Sequence, residues 1–172
     1  MIKKSVLLIL PAQDFNEQEF LVINNSLERA QIKVFIASDA HLLCKGNSGL
    51  KVKNDVKFFN MHECNFGGIV FIGGTGVKNY WQNPQLHEIA KKFKNNKKPV
   101  GAICSSVVIL AKAGILDNGA TCWPADRKEI EKEGIEFKDE PVHISGNLIT
   151  GRDPQAAADF SKAFLYELSK IS

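Results

Sequence analysis

The chain has 172 residues, 44% of them hydrophobic and 24% charged, enough to bury a core without disulfide staples. A formal net charge of +3 is too small to point to nucleic acid, and the apolar run after the basic start Met1-Ile2-Lys3-Lys4 is too short for a signal-peptide core or a membrane span. Composition therefore predicts one cytoplasmic domain, residues 1–172, with neither nucleic acid nor membrane as a partner.

The elements follow in order. "SVLLIL" (5–10) is a continuous apolar run of strand length, the mark of a strand covered on both faces. From Glu17 to Ala30 apolar residues return at helical spacing, at Phe20, Ile23, Leu27 and Ala30, and "KVFIAS" (33–38) is a second strand. This β-α-β opening predicts a parallel sheet with helices on both faces. In "LLCKGNSGLKV", Gly46-Asn47-Ser48-Gly49 separates two short alternating segments and predicts a hairpin. "GIVFI" (68–72) is a buried strand that ends on Gly73-Gly74-Thr75-Gly76, and a helix runs from Asn83 or Pro84 to about Lys94. The lysines at 91, 92, 94, 97 and 98 read as its solvated end. "PVGAIC" is the next strand and Ser105 to Ala113 the next helix, closed by Gly114. "TCWP" reads as a short strand and Asp126 to Glu133 as a polar helix. "PVHIS" and "LITG" form a terminal hairpin around Gly146-Asn147, and Pro154 to Lys170 is the last helix. The expected fold is a single doubly wound, flavodoxin-like α/β domain, mostly parallel, with a small β-hairpin.

Ligands of such sheets bind at the carboxyl ends of the strands. There the first strand offers Asp14, Glu17 and Glu19, the third Gly73, Gly74 and Thr75, and the fourth Cys104 and Ser105. No G-x-G-x-x-G or P-loop ending follows a strand, acidic residues occupy the place of a flavodoxin phosphate loop, and Gly-Gly stands where a response regulator needs aspartate. Four cysteines, Cys44, Cys64, Cys104 and Cys122, show no zinc or C-x-x-C spacing, so free thiols and no metal are expected. Cys104 sits between a strand and a helix start, where backbone N–H groups and the helix dipole favour thiolate. The N–H groups of Ser105 and Gly74 are placed to hold an oxyanion, and Glu19 to move a proton. The residues alone leave two readings of Cys104 open, a buried filler and a reactive thiol.

Five segments, "DFNEQEF", "FIGGTG", "VGAICSS" with "ILAKAGIL", "TCWP" and "GNLITGRDP", resemble the ThiJ/PfpI superfamily over nearly the whole chain. The resemblance implies that Cys104 is an elbow nucleophile, that Glu19 hydrogen-bonds its sulfur, and that Gly74 and Ser105 supply oxyanion donors. It implies no cofactor and a homodimer or larger homo-oligomer. Peptidase-like members carry histidine directly after the cysteine, and here that residue is Ser105. Where some relatives have another histidine this chain has Trp123, and His41, His62, His87 and His143 lie in no motif. A Cys-Glu pair without histidine suits the branch that acts on small reactive carbonyls, of glyoxalase or deglycase type, converting methylglyoxal to lactate. The alternatives are a redox sensor or stress chaperone that oxidises Cys104, a small-molecule hydrolase, and an intracellular cysteine peptidase. Gly73, Thr75 and Trp123 complete the expected pocket; Trp123 reads equally as its roof and as a core or interface residue, and Cys122 reads as an inert buried cysteine, with a resolving thiol as the alternative.

Overall fold

A computed structural model describes residues 5–171; the basic start at 1–4 and residue 172 lie outside the described residues. Its main sheet is built from β1 (Ser5–Ile9), β3 (Lys33–Ser38), β6 (Val56–Lys57), β7 (Gly68–Phe71), β8 (Val100–Ile103), β9 (Val142–Ser145) and β10 (Leu148–Gly151). They run in the order β6-β3-β1-β7-β8-β10-β9, parallel except for the edge pair β10/β9. The flanking helices are α1 (Glu17–Arg29), α2 (Pro84–Asn95), α3 (Val107–Lys112), α4 (Arg127–Glu131) and α5 (Ala157–Ser169). Among the described residues no helix is long and apolar enough to cross a membrane.

The pleat explains why the strands read as unbroken apolar runs. Leu7, Ile9, Ile69, Phe71, Val100 and Ala102 face one side and pack with Leu86, Ile89 and Phe93 of α2 and Val107 to Ala111 of α3. Val6, Leu8, Val70 and Ile103 face the other side, against Phe20, Ile23 and Leu27 of α1 and Phe160 and Phe164 of α5. Each large side chain buried this way stabilises the fold by about 1.5–3 kcal/mol.

The expected hairpin is present as β4 (Leu43–Gly46) and β5 (Lys51–Lys53), but β2 (Gln13–Phe15) pairs with β4 in parallel and makes it a separate three-stranded sheet. No apolar alternation in "QDF" announces that strand. "TCWP" is not a strand. Thr121 N–H donates to Thr150 Oγ1 rather than to a ladder partner, and Pro124, which has no N–H, opens a 3-10 turn. Only an isolated bridge, Ala120 to Phe137, remains nearby. The helix expected from Ser105 likewise starts as a 3-10 turn at Cys104–Ser106 before α3.

The chain places β3 on one side of β1 and then returns to place β7 on the other. Loops leaving β1 and β7 therefore diverge and open a cleft at the carboxyl end of the sheet. Because β1, β7 and β8 are neighbours, the segments that follow them, with Glu19, Gly73-Gly74 and Cys104, meet at that cleft.

Candidate active site

Cys104 leaves the end of β8 with φ +61°, a left-handed conformation that costs a non-glycine residue roughly 1–3 kcal/mol. Its neighbours hold it there. The fully buried Ser106 Oγ accepts Ile103 N–H at 3.0 Å and lies 2.7 Å from the carbonyls of both Phe71 and Ile103, to one of which it donates. Trp81 Nε1 donates to the Ser105 carbonyl at 2.8 Å. Ser106→Ala should leave Ile103 N–H without an acceptor in the core. A loss of about 1–3 kcal/mol is expected, read as a lower urea midpoint with an unchanged slope.

Glu19 is brought to Cys104 by α1 and β7 together. Asn16 caps α1 by accepting Glu19 N–H at 3.0 Å, and its own N–H donates to the Gly73 carbonyl at 2.9 Å. Gly73 N–H in turn donates to Glu19 Oε2 at 2.8 Å, so both backbone groups of Gly73 tie β7 to the start of α1. A Cβ on Gly73 would stand 2.7 Å from both Cys104 Cβ and Glu19 Oε2, which leaves room for hydrogen alone. Gly74 adopts φ +119°, and a Cβ there would meet the Asp14 carbonyl at 2.3 Å.

Glu19 is fully buried. Burial pushes its carboxyl up to about 8, against the lowering hydrogen bonds of Gly73 N–H and the Cys104 thiol; the Asp153 carboxylate adds a smaller upward push. Among the described residues Oε1 has no hydrogen-bond partner, and the carboxyl and the Cys104 thiol influence each other's protonation. A neutral carboxyl carries no charge on that unpartnered, buried oxygen. The expectation of an acidified thiol is corrected. Burial first, then the charge of Glu19, push the Cys104 thiol up, outweighing the hydrogen bond from the Ser105 backbone N–H. The two groups titrate as one unit, and sulfur becomes thiolate where Glu19 holds the proton.

Gly74, Thr75, Ser105 and Trp123 line one cleft of about 200 Å³ with Cys104, and Gly73 lies beneath the sulfur. Trp123, 40% exposed, stands at its mouth. Asn16, Asn47, Lys78 and Pro154 line it as well, and sequence reasoning placed none of them in the site. Asp126, 3% exposed and behind Ser105, was missed too. The capping pattern before α1 could have flagged Asn16; Lys78 and Asp126 carry no local signal.

Other candidates fall outside. Glu17 Oε1 accepts the N–H groups of Ser48 and Leu50 and braces the β4–β5 turn, and Asp14 is exposed. No histidine lines the cleft; His87 Nε2 is bonded to the Trp81 carbonyl and His143 Nδ1 to Glu140. Cys122 is fully buried in the opposite core face, with its thiol pushed up to about 12 chiefly by burial. That makes it an inert filler rather than a resolving thiol. Among the described residues, no group of three or more His, Cys, Asp and Glu is placed to hold a metal. A larger groove of about 370 Å³ beside Phe59 and Pro84 contains no nucleophile.

The chain as a whole is similar to known proteins. The family model described as the DJ-1/PfpI family matches residues 4–167. The chain is 30% identical over 149 residues to the deglycase PfpI of Pyrococcus furiosus, covering 86% of this chain and 90% of that protein. It is 28% identical over 159 residues to the glutathione-independent glyoxalase DJR-1.2 of Caenorhabditis elegans, covering 92% and 86%. The crystal structure of a ThiJ/PfpI domain protein from Brachyspira murdochii superposes with a TM-score of 0.96 at 29% identity, covering 100% of each chain.

Proposed function

The chain belongs to the DJ-1/PfpI family, and from that premise we propose that it is a cofactor-independent cysteine enzyme acting on small reactive carbonyls, converting methylglyoxal to lactate. The observation that carries this reading is the buried Glu19 carboxyl against Cys104, with its pKa moved to about 8. A group poised there can give and take a proton near neutral pH. The names of the two curated relatives, a glyoxalase and a deglycase, support the same reaction class.

In this mechanism Cys104 sulfur adds to the aldehyde carbon, and the proton shared by the pair goes from Glu19 to the new oxygen. The product is a hemithioacetal, with Glu19 left as carboxylate. The backbone N–H groups of Gly74 and Ser105 are the proposed donors to the transient oxyanion. Glu19 then removes the proton on the former aldehyde carbon and returns it to the neighbouring carbon, while the hydroxyl proton passes to the neighbouring oxygen, leaving a 2-hydroxy thioester. Water cleaves the C–S bond, releasing lactate and restoring the Cys104 thiol. One methylglyoxal and one water are consumed for each lactate.

Peptidase chemistry has less support, because no histidine lines the cleft to serve Cys104. A redox sensor needs an exposed thiol, whereas Cys104 is only 7% exposed. The purified protein is expected to form lactate from methylglyoxal without glutathione or any added cofactor. No lactate at millimolar substrate, together with selective oxidation of Cys104 by peroxide, would overturn the enzyme reading in favour of the sensor.

A further inference from the structure

The polar lining of the cleft is biased toward hydrogen-bond donors. Asn16 Oδ1 accepts Glu19 N–H at 3.0 Å, and Asn47 Oδ1 accepts Glu17 N–H at 3.3 Å. With one lone pair of each oxygen taken by the start of α1 and both NH2 protons unassigned within the cleft, each side chain has more donors than acceptors left for a ligand. Ser105 Oγ gives its single proton to Asp126 Oδ2 at 2.5 Å. Asp126, in turn, places its Oδ1 3.3 Å from Lys78 Nζ. One nearly buried carboxylate thus spans the gap from the residue after the nucleophile to an ammonium group, and tethers that ammonium at the cleft wall.

Lys78 is the only charged side chain among the described residues lining this cleft. It is 48% exposed, and its Nζ lies 5.6 Å from the Trp81 ring centroid. An ammonium carries three protons, and the contact with Asp126 occupies one of them. Lys78 therefore keeps donors for a ligand while its partner fixes its position. Glu19 adds little repulsion toward an incoming anion while it holds its proton.

We propose that the cleft selects carbonyl compounds bearing a carboxylate, namely α-oxoaldehydes with an acid group on the far side of the dicarbonyl, and that Lys78 recognises that acid. The dicarbonyl part rests on the reading of the preceding section; the preference for an anion does not.

Iodoacetate and iodoacetamide test the preference without any turnover. Both are attacked by the Cys104 sulfur in the same step, in which an S–C bond forms, the C–I bond breaks and iodide leaves. They are similar in size and differ in charge. Cys64 is exposed while Cys104 is buried, so labelling is followed on the peptide containing Cys104. The ratio of iodoacetate to iodoacetamide rates should fall on the order of tenfold in Lys78→Met, the scale of one partly screened charge pair. Lys78→Arg should keep the ratio. The double variant Lys78→Met/Asp126→Asn should stay low, because the ammonium is gone while no bare carboxylate has been left behind. An equal ratio in wild type and Lys78→Met overturns the proposal. So does recovery of the ratio in the double variant, which would trace the effect to the unpaired Asp126. A protein that forms no 2-hydroxy acid from either methylglyoxal or 4,5-dioxopentanoate, yet shows the Lys78-dependent ratio, would refute the dicarbonyl reading alone.

In the enzyme assay, the expected counterpart is a lower KM for 4,5-dioxopentanoate than for its methyl ester, with the difference erased in Lys78→Met. Equal KM values for acid and ester in wild type would overturn the assignment of carboxylate recognition to this cleft.

Discussion

Replacing Cys104 by alanine is expected to abolish lactate formation from methylglyoxal, lowering the rate at least about a thousandfold, as removal of a covalent nucleophile does. The fold should survive the change. Alanine meets the same positive φ of 61° as cysteine, and the braces on this elbow, through Ser106 and Trp81, come from other residues. The thermal midpoint should therefore move by only the effect of one small buried group, about 1 kcal/mol. Lactate production and a melting curve on the same sample check both halves. Substantial residual turnover in a folded Cys104→Ala protein would remove the nucleophile from the mechanism.

Glu19→Gln should cut turnover by roughly a hundredfold to ten-thousandfold, the range that general acid–base groups supply, and should also change how stability depends on pH. Glutamine can still accept Gly73 N–H through its amide oxygen, so the contact that ties α1 to the end of β7 is kept. What it cannot do is carry the proton. In the wild type the Glu19 carboxyl has its pKa raised by burial from 4.5 to about 8. Between those values the folded protein holds a proton that the unfolded chain has released. Stability from this group is complete below 4.5 and is lost as the pH rises through about 8, at up to ~1.4 kcal/mol per pH unit. Glu19→Gln removes this term. Urea unfolding across the interval should show a declining wild type and a flatter variant that is the more stable of the two at the alkaline end. A wild-type curve that rises with pH over this window would contradict the buried neutral acid.

Much of the fold was legible because its signals are local. Strands covered on both faces show as unbroken apolar runs such as "SVLLIL" and "GIVFI", and the helices show their period in α1, α2 and α5. The misreadings lie where pairing depends on distant partners. Nothing within "QDF" reports that Lys45 and Gly46 will lie beside it, and nothing within "TCWP" reports that Thr150 takes the Thr121 N–H.

The site divides the same way. Cys104, Gly73-Gly74 and Glu19 were legible by position, since each follows a strand that had to end at the same rim of a parallel sheet. The sequence by itself thus determined which segments meet and which residue types they bring. Only the tertiary structure decided their ionisation. The dipole argument from the helix start favoured thiolate, but burial of Glu19 to 0% exposure and the shared proton of the pair set the balance instead. It also decided the cleft wall, where Lys78, Asp126 and Ser105 come from separate segments and meet through one carboxylate. Desolvation and through-space charge depend on what packs around a group, and that environment is assembled from parts of the chain far apart in order.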